Sequence, residues 1–168
     1  MKKGVTMERL KELLSTNTFH GKVDWIGISS ASRAAIQAQE TVRIVKGGVE
    51  GDHHCRPTRK SKRQVTLIQA EHIPVVEAIL GRGKIDPALL RRNIVVSGIN
   101  LAALKYQTFQ IGSAVLEGSG NCPPCSRMEE NLGPGGYATM LAHGGITAIV
   151  LTEGVVSLGD TVSALQAG

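Results

Sequence analysis

The chain has 168 residues, 42% of them hydrophobic and 20% charged, which fits one globular domain and excludes a disordered chain. Aromatic residues make up only 3%, so the core is expected from Val, Ile, Leu and Ala, and an aromatic platform for base stacking is disfavoured. The net charge of +5 fits either a solvated basic face or a site for an anion, such as nucleic acid or a phosphorylated cofactor.

The first predicted element is a short amphipathic helix over Thr6 to Ser15, with Met7, Leu10, Leu13 and Leu14 on one stripe and Thr6 as its N-cap. Strands follow in "GKVDWIGIS", in "ETVRIVKGGVEGD" around a Gly-Gly turn, and in the β-branched "RQVTLIQ". A helix is predicted from Ala70 to Leu80, with Pro74 in its first turns, where a missing N–H does least damage. "DPALLRR" reads as a second short helix, with Asp86 as cap and Pro87 at its first position. "NIVVSG", "TFQIGSAVLEG", "GITAIVLTEG" and "DTVSAL" are further short strands bounded by turn residues.

Strand and helix do not alternate strictly, which disfavours a doubly wound parallel sheet. The expected fold is mainly β (α+β): a mostly antiparallel, barrel-like sheet with short peripheral helices. The 20 glycines suit its many tight turns. No repeat or linker interrupts the chain. Residues 1–19 read as an N-terminal helical extension and 20–168 as a single domain.

Three cysteines do not make a secreted disulfide framework. The segment after Lys2 and Lys3 lacks the apolar run of a signal peptide, and no stretch approaches a membrane span. A soluble protein of the reducing cytoplasm, with no membrane partner, is the expectation.

Three segments carry candidate chemistry. "GDHHCRPTRKSKR" packs Arg56, Arg59, Lys60, Lys62 and Arg63 behind His53, His54 and Cys55. Such a run is either a solvated loop or an anion-binding lip of arginine forks. Nucleic acid is disfavoured, because no helix-turn-helix, zinc-finger or RNA-recognition signature accompanies the charge. In "LLRRNIVVSGINL", Arg91 and Arg92 precede an apolar strand. If both stand at its entrance, one faces inward and needs an anion, either an internal carboxylate or a ligand. Asn93 adds an amide that donates and accepts.

The third segment, "GSGNCPPCSRMEENLGPGG", holds Cys122 and Cys125 around two prolines. A closed zinc site would need both of these with Cys55 and one of His53, His54 or His143, yet the spacing is not that of ligand pairs. A thioredoxin-like dithiol lacks its strand–helix context. Buried inert thiols fit poorly with a proline-stiffened loop between polar residues. The remaining reading is one working thiolate, Cys125, before a short helix and near arginines. It would suit a transition metal or a sulfur-transfer reaction.

Taken in order, "GDHHC…R…VTLI", "LLRRNIVVSGINL…FQIGSAVLEG", "CPPCSRME" and "GGITAIVLTEGVVSLGD" resemble the MOSC domain, the C-terminal domain of molybdenum cofactor sulfurases. The resemblance spans about residues 20–165. It implies a β-barrel fold and a site for the pterin-based (molybdopterin-type) molybdenum cofactor, with one functional cysteine that falls on Cys125 as the metal ligand. It further implies that Arg91, Arg92 and Asn93 contact the cofactor or its phosphate, with Arg56 and Arg59 in the basic region beside them. Cys122 is auxiliary in this reading. His54, His143 and Glu71 are candidate proton donors. The implied activity is reduction of N-hydroxylated or N-oxide compounds, a small-molecule substrate class, or else persulfide sulfur carriage and cofactor handling. Some members are fused to a desulfurase or belong to larger N-reductive enzymes. This length leaves no room for either addition, so a separate electron-donor or sulfur-donor protein is expected.

Overall fold

The fold is that of a computed structural model describing residues 4–166; Lys2, Lys3 and the last two residues of the single domain expected at 20–168 lie outside the described residues. In chain order the elements are α1 (Met7–Ser15), β1 (His20–Ile28), β2 (Gln37–Gln39), β3 (Thr41–Val45), β4 (Gly48–Val49), β5 (Val65–Gln69) and α2 (His72–Leu80). A single 3-10 turn, Pro87–Leu90, leads to β6 (Ile94–Ser97), α3 (Leu101–Leu104), β7 (Thr108–Ile111) and β8 (Ala114–Asn121). The chain continues through α4 (Ser126–Leu132), α5 (Gly136–Met140), β9 (Ile146–Thr152), β10 (Gly154–Ser157) and β11 (Thr161–Ala164).

Seven strands close a barrel in the order β11-β7-β8-β9-β5-β6-β1, and β1 pairs again with β11. Every pairing in the ring is antiparallel except β5 with β6. β2 hangs on β1, and β3, β4 and β10 form a separate three-stranded sheet. Closure leaves the ring without open edges.

The alternation that marks the strands sorts their side chains. In β3, Val42 and Ile44 are buried while Thr41 and Arg43 are exposed. β5 and β6 are covered on both faces. Leu67, Ile94 and Val96 point into the barrel with Val23, Ile26, Phe109 and Leu116. Their neighbours Ile68 and Val95 face outward, into a second cluster with Val76, Leu90, Met128 and Met140 beneath the helices. Continuous apolar runs such as "NIVV" therefore mark strands buried on two sides.

Local signals act where they were expected. The Thr6 hydroxyl caps α1 by accepting from the Arg9 amide at 3.2 Å. Asp86 caps the 3-10 turn through the Ala88 amide at 2.9 Å, with Pro87 at its start. α2 begins two residues later than expected, with Pro74 at its third position, and ends on Gly81 in the left-handed region. The apolar stripe of α1 is not docked: no residue of that helix is buried. No helix among the described residues is long and apolar enough to cross a membrane.

Two glycines set close approaches that the site needs. Gly47, at φ +95°, would place a Cβ 2.7 Å from the Arg56 carbonyl carbon and the Pro57 nitrogen, so the basic loop lies directly on the β3–β4 turn. Gly145, at φ +83°, opens β9, and its Cβ would meet the Leu67 carbonyl oxygen and stand 2.8 Å from Ile68 Cα. We expect Gly145→Ala to cost about 2–4 kcal/mol, combining left-handed strain with overpacking. Gly159→Ala, at φ +84° in open space, should cost only the strain, about 1–2 kcal/mol. Urea midpoints of the two variants check the difference.

Candidate functional site

Four segments meet around a cavity of about 500 Å³. They are the loop after β1 with Arg33, the long loop between β4 and β5, the turn from Arg91 to Asn93, and the entry to α4 with Cys125 and Arg127. The wall carries seven arginines and one carboxylate, that of Asp52. The long loop is tied down at its far end as well. The Ser119 hydroxyl donates to the Lys62 carbonyl, and the Gln64 amide donates to the Ala148 carbonyl at 3.1 Å.

Asp52 is buried, and both of its oxygens are committed. Oδ2 accepts from the Ser29 amide at 2.9 Å and from Asn93 Nδ2 at 3.4 Å. Oδ1 accepts from the His54 amide at 3.0 Å and faces His54 Nδ1 at 3.1 Å. A carboxylate only accepts, so Nδ1 of His54 carries the proton and Nε2 is left free. Burial pushes the Asp52 carboxyl up, but the bonds from His54 and Ser29 outweigh it and hold the group below its ordinary value.

Neither arginine of the "RRN" run lies on a strand, which corrects the expectation of an inward and an outward partner: β6 begins only at Ile94. Arg91 ends the 3-10 turn in the left-handed region, at φ +54°, and donates Nη1 to the Ala34 carbonyl at 3.0 Å. Arg92 is buried and takes carbonyl oxygens in place of an anion. Its Nε donates to Gly144 at 2.8 Å and Nη1 to Leu90 at 3.0 Å. Nη2 donates to Cys122 at 3.2 Å and to Pro123 at 3.4 Å. Asn93 is likewise turned inward. Its Oδ1 accepts from the amide and the hydroxyl of Thr66, both at 3.1 Å, while Nδ2 reaches Gly27 and Asp52.

The two cysteines of "CPPC" part company. Cys125 is exposed, lines the cavity and sits just before α4. Cys122 is buried and lies outside the cavity wall, and its Sγ accepts from Arg63 Nη2 at 3.6 Å. Of the two prolines, Pro123 is exposed and Pro124 buried, so the loop is half embedded rather than wholly exposed.

Most of the candidates read from the sequence do meet: Cys125, Arg56, Arg59, Arg91, Arg92, Asn93 and His54 all line the cavity. His143 does not. Its ring packs edge-on against His72, 5.5 Å between centroids, and its Nδ1 lies 2.9 Å from the Thr139 carbonyl. Glu71 is also elsewhere, accepting from the Gly98 amide at 2.6 Å. The zinc set is not assembled. Among the described residues the one group of His, Cys, Asp or Glu with ligand spacing is Asp52, His53 and His54, and it contains no cysteine. Sequence reasoning passed over Asp52, Arg33 and Arg127. The signal for Asp52 was its position, as the one acid opening a segment rich in histidine and arginine.

The sequence profile of the MOSC domain matches residues 28–163, and the chain belongs to that family. Among solved structures it is similar to the YuaD protein from Bacillus subtilis, at 21% identity and a TM-score of 0.78, covering 91% of this chain and 100% of that one. YiiM from Geobacillus stearothermophilus aligns at 17% identity and a TM-score of 0.70, over 88% of this chain and 76% of that one. YiiM from Escherichia coli aligns at 15% identity and 0.66, over 88% and 71%. At these identities the likeness is one of fold. No curated protein matches the chain.

The Asp52 carboxylate contributes stability that is complete above its unfolded value, about pH 4, and is lost as pH falls through its lower folded value. Asp52→Asn should lower stability at pH 7 by about 1–3 kcal/mol. It should also flatten the decline below pH 4. Urea unfolding at a series of pH values measures both effects.

Proposed function

We propose that this MOSC-domain protein binds the molybdenum cofactor through Cys125 and through Arg56 and Arg59 of the basic loop. With electrons from a separate donor protein, it then reduces N-hydroxylated or N-oxide compounds. The observation that carries the reading is a single exposed thiol opening onto an arginine-lined cavity whose one acid is already saturated with hydrogen bonds.

The donor set suits the group. A thiolate is a soft ligand for a transition metal. Guanidinium forks suit a phosphate, and Arg56 and Arg59 have no side-chain acceptor among the described residues. A volume of about 500 Å³ is that of an ordinary small-molecule site. Arg92 and Asn93 serve indirectly: Arg92 fixes the cysteine loop, and Asn93 fixes Asp52 and Thr66.

When bound, the cofactor supplies a metal centre able to accept oxygen from an N–O bond. The overall reduction consumes two electrons and two protons and releases water. Protons would enter through His54, oriented by Asp52, with an exposed ring that solvent can recharge. The exposure of Cys125 also favours a second reading, in which that sulfur carries a persulfide to an acceptor protein.

Protein purified from cells that make the cofactor should contain about one molybdenum per chain. The metal should vanish in Cys125→Ala and remain in Cys122→Ala, as read by elemental analysis. Stoichiometric zinc without molybdenum would overturn the reading. In the loaded protein, His54→Ala should lower turnover of a hydroxylamine substrate on the order of 10²-fold at unchanged molybdenum content. No turnover, together with cyanide-releasable sulfur on Cys125, would favour the carrier.

A further inference from the structure

Beside Cys125 the cavity wall holds two guanidinium groups, Arg91 and Arg127, and among the described residues their one ion pair is the contact of Arg127 with Glu130. Arg127 follows the thiol by two residues, and its side chain is only 21% exposed. The ion pair to Glu130 is long, at 4.0 Å, and 53% of the Glu130 side chain is in solvent, so that pair is weak. Arg91 is half-buried and spends one donor on Ala34. Asp52 makes no ion pair with either arginine, because Ser29, Asn93 and His54 occupy its oxygens, so its charge acts on Arg91 only at a distance. Burial, and then the charge of Arg127, push Arg91 below its ordinary value, and Asp52 and Cys125 pull the other way without prevailing.

Two like charges held together in a partly dry wall cost free energy unless an anion joins them. On the reading above, the cofactor's phosphate would be held elsewhere, by Arg56 and Arg59 of the long loop. We propose that the substrate is itself anionic, with a carboxylate or similar planar oxyanion gripped by Arg91 and Arg127 so that its N–O group lies toward Cys125. This rests on the reductase reading above for the N–O chemistry, while the anion subsite stands on the arginine pair. The guanidinium fork matches a planar oxyanion through two parallel hydrogen bonds, which an ammonium does not reproduce.

The test uses the full-length, cofactor-loaded protein with benzoate and its neutral analogue benzamide, followed by calorimetry. Benzoate should bind with one equivalent per chain, at least about tenfold tighter than benzamide. Arg127→Gln should remove that preference while leaving molybdenum content unchanged and the thermal midpoint no lower, and Arg127→Lys should restore it only in part. Equal affinity for the two probes, or a preference that survives both Arg127→Gln and Arg91→Gln, would overturn the proposal. The two readings fail separately. Molybdenum without a benzoate preference sinks the anionic substrate alone. An Arg127-dependent preference in a chain that takes up no molybdenum sinks the cofactor reading and leaves the anion subsite standing.

Discussion

The site depends on a buried guanidinium used as a clamp. Arg92 reaches four carbonyl oxygens on three separate stretches of chain: the 3-10 turn, the residues before β9, and the loop that ends at Cys125. The fixed planar fork of a guanidinium suits that task, and a lysine has no such geometry. Burial pushes Arg92 down from its ordinary value, Cys122 opposes that, and the charge of Arg63 adds to the cost. The charge stays because its carbonyl partners would otherwise be buried without donors. Gly144 completes the arrangement, since a Cβ there would run into the Cys122 carbonyl and stand 3.1 Å from Arg92 Nη2.

A second joint, Asp52 with Asn93, serves the opposite wall. Asn93 links the parallel strands β5 and β6 through Thr66 and reaches across to Asp52, which in turn anchors Ser29 and His54. The polar residues of the cavity thus divide into two groups. Arg92, Asn93 and Asp52 are consumed by architecture. Arg33, Arg56 and Arg59 keep their guanidinium groups for whatever enters, and Arg91 keeps part of its own.

That division explains what was legible in the sequence. Strands were legible because β-branched alternation is local, and Val42, Ile44 and Val23 sit where it puts them. The pairing of β1 with β11 joins residues 20–22 to 161–163, and no local pattern encodes it. The parallel β5–β6 pair is equally invisible, because its connection runs through α2 and the 3-10 turn. Candidate residues could be gathered by chemical type, and most do line one cavity. Their division of labour could not be read, because "RRN" shows three polar residues in a row without showing which face protein and which face a ligand. Arg127 escaped notice for a related reason: in "SRMEENL" it reads as an ordinary helix charge until the fold places it on the same cavity wall as the thiol.

The excess of positive charge has an energetic consequence for the chain without ligand. Guanidinium groups crowded at a cavity raise one another's cost, and the one acid nearby is too well hydrogen-bonded to swing toward them. The fold tolerates this because the barrel core and the Arg92 clamp carry stability elsewhere. An anion that neutralises the wall therefore gains twice: it forms charge-assisted hydrogen bonds and it relieves repulsion already present. The same field draws anions from solution, with a strength that falls as salt rises. Saturating Asp52 from within is what preserves this field, since a free carboxylate in the same wall would fold back onto the arginines and close the site to any ligand of like sign.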